Sequence, residues 1–222
     1  MRFLAISKFL LILILPFMLV LLVANLIGFD DLFYQEKFSE YKVQLEVPQA
    51  ISLHEKVINF IKGENNELPA DFNGREKQHL LDVRNLARAL TILLYIFIIL
   101  FVLLLIVSAL ILKINNYIIN FVGKVLFFGG FLTITLAAAL LFFINSDFPS
   151  AFDSFHQLFF EKGTYLFDPA KDLIVKLYPE QLFMDLGLKI SIRIFIISVI
   201  IIILGIFLML KSKNKKNKKK TT

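Results

Sequence analysis

Residues 89–112 read ALTILLYIFIILFVLLLIVSALIL, an apolar run without a charged side chain. A helix rises about 1.5 Å per residue, so roughly 20 such residues cross the hydrocarbon core of a bilayer. No water reaches backbone groups there, and they must pair within the segment, so this run is read as a helix. Three further stretches meet the same test: about Phe9–Ile27, Val122–Ile144 and Ile190–Leu210. The first follows Arg2 and Lys8, as a signal peptide would, yet it is longer than the roughly 7–15 residues of a signal core. No small-x-small cleavage pattern precedes Asp30 and Asp31, so it is read as a retained span, with a kink at Pro16.

Composition agrees with the spans. The chain is 58% hydrophobic and 19% charged, more apolar and less charged than a water-soluble domain. It has no Cys, which excludes disulfides, thiolate nucleophiles and Cys-ligated metal centres. A glycine-rich phosphate loop, a His-Glu-x-x-His motif and a Gly-x-Ser-x-Gly elbow are all missing. The spans are almost free of ionisable groups, which argues against solute or ion transport. The net charge of +6 would suit nucleic acid, but its distribution points to a membrane.

All 18 acidic residues lie in 30–82 or 147–185. The N-terminus, the stretch from Lys113 to Lys124 and everything after Leu210 carry only basic residues. Lys and Arg accumulate on the cytoplasmic side of spans, so those three pieces are expected inside and the two acid-bearing segments outside. The fold class expected is therefore a membrane all-α protein with four transmembrane helices and both termini cytoplasmic. A small α+β extracellular cap completes it. The expected organisation is an N-terminus and first span over 1–28, a cap segment over 29–88 and a second span over 89–112. A cytoplasmic loop over 113–121, a third span over 122–144 and a second outer segment over 145–189 follow. The last pieces are a fourth span over 190–210 and a disordered basic tail over 211–222.

Within the cap, Phe33, Phe38, Tyr41, Val43, Leu45 and Val47 alternate loosely and predict one or two strands. Ser52 and Glu55 have capping-box spacing and open a short helix ending at Gly63. Residues 64–73 form a loop, and a helix runs from about Gly74 into the second span. Ser150 and Asp153 predict another helix start, carried through Phe160. A turn at Gly163 and irregular chain near Pro169 and Pro179 come after it.

All three histidines fall in these outer segments, and imidazole is the side chain suited to moving protons near neutral pH. His79 and Asp82 share a helical face, where a carboxylate can orient an imidazole; an interfacial helix with polar residues toward headgroups reads the same spacing. His156 shares a face with Phe152, Phe155 and Phe159, and Phe142, Phe143, Phe148, Tyr165 and Phe167 are near in sequence. That pattern fits either a surface amphipathic helix or a greasy lipid-handling pocket with one titratable group. His54, beside the capping box, reads as a surface or satisfied cap histidine. Arg84 and Arg88, and Lys189 and Arg193, are i,i+4 pairs at the starts of spans. Snorkelling to lipid phosphates is their default role, while Arg193 reaches a turn into the apolar zone and could hold a substrate oxygen.

Phe152–Ser154 with Phe155-His156, then Tyr165-Leu166-Phe167-Asp168-Pro169, Asp172-Leu173-Ile174 and Tyr178-Pro179, resembles the lipoprotein intramolecular transacylase family. So does Glu76 through His79 to Asp82 just before a span. The likeness covers nearly the whole chain, although the family commonly has Trp where Tyr165 stands. It implies an acyltransferase of the bacterial cell membrane, with its active site on the extracellular face. It also implies transfer of the sn-2 acyl chain of a diacylglyceryl lipoprotein to the α-amine of its N-terminal Cys. By motif, His79 and His156 become the catalytic pair. Asp82 and Asp153 support them, and Phe152, Phe155, Phe159, Tyr165, Asp168, Arg84 and Arg193 are expected to contact substrate. Which histidine is the base stays open, with Asp82 pointing toward His79. No cofactor, metal or nucleic acid is implied; the partners are the lipoprotein and membrane lipids. The alternatives are a membrane lipid-ester hydrolase, using Ser154 or a His-bound metal, and a non-catalytic membrane binding or assembly protein.

Overall fold

The computed structural model describes residues 2–113, 116–161 and 163–218. These residues form helices α1 (Arg2–Gly28), α2 (Asp31–Glu40), α3 (Val43–Glu46), α4 (Ala50–Lys62) and α5 (Gly74–Leu112). They continue with α6 (Asn116–Ser146), α7 (Phe148–Phe159), α8 (Leu173–Leu177) and α9 (Glu180–Lys218). Four of them, α1, α5, α6 and α9, are long and apolar enough to cross a membrane. α1 runs through Pro16 as one helix.

The chain divides into two compact units. One comprises Met1–Ala24, Leu93–Leu141 and Ile190–Thr222. Its helices approach through small residues, as expected where lipid tails compete with every apolar contact. A Cβ on Gly123 would lie 2.9 Å from the Gly205 carbonyl oxygen, and one on Gly205 would lie 2.7 Å from the Phe127 nitrogen. Only glycine permits so close an approach of α6 and α9. Hydroxyls supply the polar links: the Ser7 and Ser108 oxygens are 2.9 Å apart, and Ser212 Oγ donates to the Asn116 carbonyl.

The other unit comprises Asn25–Ile92 and Phe142–Lys189, and so collects both acid-bearing segments. Its core buries Phe38, Leu53, Phe72, Leu177 and Leu182 almost completely. The expected strands are absent among the described residues, and the cap is helical. Phe33, Tyr34 and Phe38 are the buried face of α2, and Val43 and Val47 bracket the single turn of α3. A spacing of four satisfies the helical period as well as strand alternation, so those valines could not discriminate. Lys42, left-handed at φ 54°, supplies the corner between α2 and α3.

Both expected helix starts shift. α4 begins at Ala50 rather than at Ser52, and it ends at a left-handed Gly63 (φ 84°) as anticipated. At α7 the cap is Asp147, whose Oδ1 accepts from the Ser150 amide; Ser150 itself lies inside the helix. α6 and α9 also begin earlier than the apolar runs, and helix continues through Lys218 where a disordered tail was expected. Residues 219–222 of that tail, and 114–115 of the expected loop, lie outside the described residues.

Candidate active site

Two elements of the helical cap unit carry the candidate residues. The first turn of α5 is held by a reciprocal capping box. The Glu76 amide donates to Asn73 Oδ1 at 3.0 Å, and the Asn73 amide donates to Glu76 Oε2 at 2.7 Å. Glu76 is 1% exposed, and its second oxygen accepts from the Ile174 amide at 2.8 Å, tying α5 to α8. Asp172, also buried, accepts from Asn73 Nδ2, from Arg75 Nη2 and from the Asp168 amide. The Asp168 amide, then Asn73 and Arg75, hold its carboxyl below the usual carboxylate range. One turn beyond Glu76 this clamp sets His79.

His79 is 7% exposed. Its ring lies 4.9 Å from Phe160 and 5.4 Å from Phe167, and its Nδ1 is buried without a hydrogen-bond partner. Residues 74–88 precede the apolar run of α5, so His79 stands outside the membrane-crossing part. Burial first, and then the nearby His156, push its pKa down to about 4 against the opposing Asp82. Burial outweighs the Asp82 carboxylate, whose Oδ1 accepts from Gln78 instead. Asp82 thus raises the His79 pKa in the expected direction, but burial sets the net shift.

His156 comes from α7, with its ring centroid 6.1 Å from that of His79 and 23° from parallel. Its Nδ1 lies 2.8 Å from the Phe152 carbonyl oxygen. A carbonyl only accepts, so the proton of neutral His156 sits on Nδ1 and the lone pair on Nε2. Phe152, Tyr165, Phe160 and Phe155 surround it at 4.3, 5.1, 5.5 and 5.6 Å. Phe159 packs on Phe155. α7 itself buries no residue, and Phe155 and Phe159 are exposed, so the rings gather beside the His156 imidazole on an amphipathic helix.

The remaining candidates have other partners. Asp153 is exposed and accepts from Gln157. Asp168 is exposed, with Oδ1 accepting from the Ala170 amide in a local turn. Arg84 donates to Asn66 and lies over the Phe60 ring. Arg193 is exposed in the other unit. His54 is 3% exposed, not a surface residue, with Nδ1 3.0 Å from the Tyr178 hydroxyl. Ser154 is exposed on α7, and among the described residues no three His, Asp or Glu side chains converge to hold a metal. Sequence reasoning missed the anchoring role of Glu76 and Asp172; the Asn73-x-x-Glu76 spacing was the available signal.

Solved structures share the fold. The lipoprotein intramolecular transacylase Lit from Bacillus cereus, a membrane-integral protein, matches with a TM-score of 0.80 at 22% identity, covering 96% of this chain and 98% of that one. Two variants of it, in which a histidine is replaced by arginine or by alanine, match at TM-scores of 0.78 and 0.75 and 21% identity. They cover 96% of this chain and 95% and 96% of theirs. A comparison with curated proteins finds no match. A family model described as lipoprotein intramolecular transacylase Lit matches residues 6–183, so the chain belongs to the lipoprotein intramolecular transacylase family of acyltransferases.

Proposed function

We propose that this protein moves the sn-2 acyl chain of a diacylglyceryl lipoprotein onto the α-amine of its N-terminal Cys, with His79 and His156 carrying the protons. The observation behind this reading is the pair of imidazoles 6.1 Å apart inside a wall of aromatic rings. Acyl donor and nucleophile belong to one molecule, so the enzyme needs no nucleophile of its own. It folds the substrate into attack geometry, an effect that reaches ~7–11 kcal/mol in well-aligned cases. The Phe side chains of α7, with Tyr165, line the lipid.

The α-ammonium, with a pKa near ~8, gives up a proton to His156 Nε2, which holds a lone pair when Nδ1–H is bound to Phe152. The amine nitrogen attacks the sn-2 carbonyl carbon, forming the C–N bond. As the tetrahedral intermediate collapses, the nitrogen gives a second proton to the imidazole pair, the C–O bond breaks and the glyceryl oxygen takes one proton from the pair, the other passing to water. His79 is assigned as the donor, because burial weakens its hold on a proton.

The site is proposed to face the outer leaflet of a bacterial cell membrane, with both termini cytoplasmic. The absence of acidic residues from the three basic pieces supports this sidedness. Since the chain has no Cys, a single one at Gln157 reports the side directly. A membrane-impermeant maleimide should label Q157C in intact cells, and labelling only after lysis would overturn the assignment.

The chemistry is tested by expressing the protein in a bacterium whose lipoproteins retain a diacylglyceryl Cys with a free amine. Mass spectrometry of the lipoprotein N-terminus should find N-acyl, S-monoacylglyceryl product with the wild type and none with H79A or H156A. Undiminished product in both variants would reject the reading, and free fatty acid in its place would favour hydrolysis.

A further inference from the structure

The cap unit also contains a cavity of about 690 Å³ that the imidazole pair does not line. Its walls bring together Lys62 from α4, Arg84 and Arg88 from α5, and Asn25, Leu26 and Phe29 from the end of α1 and the residue after it. Among the described residues no carboxylate lines it. Nine residues at about 100° each set Arg88 roughly 180° around α5 from His79, so the two features use opposite faces of one helix. Lys62 and Arg84 are held by aromatic and amide partners rather than by acids. Lys62 lies over Phe29 at 5.6 Å, and Arg84 lies over Phe60 at 4.8 Å and donates to Asn66. Asn25 donates to Thr91, which donates in turn to the Ala87 carbonyl, closing the polar floor.

Below Arg88 the lining becomes apolar just where α5 enters its charge-free run, and Leu26 and Ile92 are 65% and 50% exposed there. Three unneutralised cations above a lipid-accessible apolar rim match a phosphodiester joined to acyl chains. We infer that this cavity binds the headgroup of an anionic phospholipid, its phosphate held by Lys62, Arg84 and Arg88 and its chains passing Leu26 and Ile92. The ligand is chemically distinct from a diacylglyceryl thioether, which carries no phosphate, so the site is separate from the proposed transfer centre.

The test uses full-length protein exchanged into vesicles of phosphatidylglycerol, phosphatidylcholine and diacylglycerol in equal parts, then re-extracted and analysed by lipid mass spectrometry. Wild-type protein should retain phosphatidylglycerol over both other lipids. K62Q/R88Q, which alters two exposed side chains, should reduce that retention about 10-fold. K56Q, an exposed lysine on α4 outside the cavity, should retain lipid as the wild type does. Equal retention of the three lipids, unchanged retention in K62Q/R88Q or an equal loss in K56Q would each overturn the proposal. So would displacement by millimolar inorganic phosphate, which marks a simple anion site. The readout is lipid retention, so failure of acyl transfer and failure of this site are told apart.

Discussion

His54 and His79 are both buried imidazoles of the cap unit, and burial pushes the pKa of each down to about 4. Their surroundings differ. His54 sits on the rings of Tyr34, Phe38 and Tyr178, with Nδ1 at the Tyr178 hydroxyl and Nε2 3.7 Å from Asp31. That environment closes over it. Among the described residues each has one buried ring nitrogen without a hydrogen-bond partner, Nε2 in His54 and Nδ1 in His79, but only His79 has a second imidazole stacked against it. Depth and pKa alone therefore do not distinguish a structural histidine from a reactive one. Under the proposed function it is the second imidazole that sets His79 apart, because two neighbouring imidazoles can hold and pass a proton between them.

The largest effect should come from breaking the pair. H79A and H156A are each expected to lower acyl transfer by about 10²–10⁴-fold, measured as N-acyl product, while the detergent-extracted protein keeps its helical circular dichroism. H54A should invert this pattern. It opens a cavity and strands the Tyr178 hydroxyl, costing about 2–4 kcal/mol in unfolding, with turnover per folded molecule little changed. If folded H54A were as inactive as H156A, the distinction between the two sites would fail. E76Q stands between them. Loss of the carboxylate from the Asn73 and Ile174 amides should cost about 1–3 kcal/mol, and loosening of His79 should slow transfer more than H54A does. Removing only the Tyr178 hydroxyl, as Y178F, should cost about 1 kcal/mol and leave transfer intact.

The last comparison leaves acyl transfer aside and concerns the pH dependence of stability. Both folded pKa values lie below the ordinary 6.5, so as pH falls the unfolded chain takes up protons that the folded chain refuses. The contribution of the two histidines should be full above pH 6.5, decline between 6.5 and about 4, and level off below, where protonation of the depressed Asp172 carboxyl continues the loss. Thermal unfolding across that window should be less pH-sensitive for H54Q, which removes one of the two protons.

Spans and charge segregation were legible from residue order alone. A charge-free run such as 89–112 has only one way to satisfy its backbone in lipid, and charges sort by side without reference to any contact. The ends of α4 and α7 were harder. Ser52 and Ser150 had cap spacing, yet Gln49 and Asp147 occupy the caps, because the chain entering each helix is steered by packing elsewhere. The α2–α3 segment was misread for a related reason: Val43 and Val47 fit both periods, and burial against the core cluster selected the helix.

Local sequence could mark His79 and His156 as candidates, since each shares a helical face with telling neighbours. It could not bring them together, because they lie on different helices and their meeting depends on long-range contacts. The Glu76 and Asp172 clamp, spanning nearly a hundred residues of chain, is one such contact. The same holds for the basic cavity, where Lys62 joins Arg84 and Arg88 only after α4 packs beside α5. Residue order thus determined what each segment must be in a bilayer. Tertiary packing decided which side chains meet, because burial and pairing depend on neighbours distant in sequence.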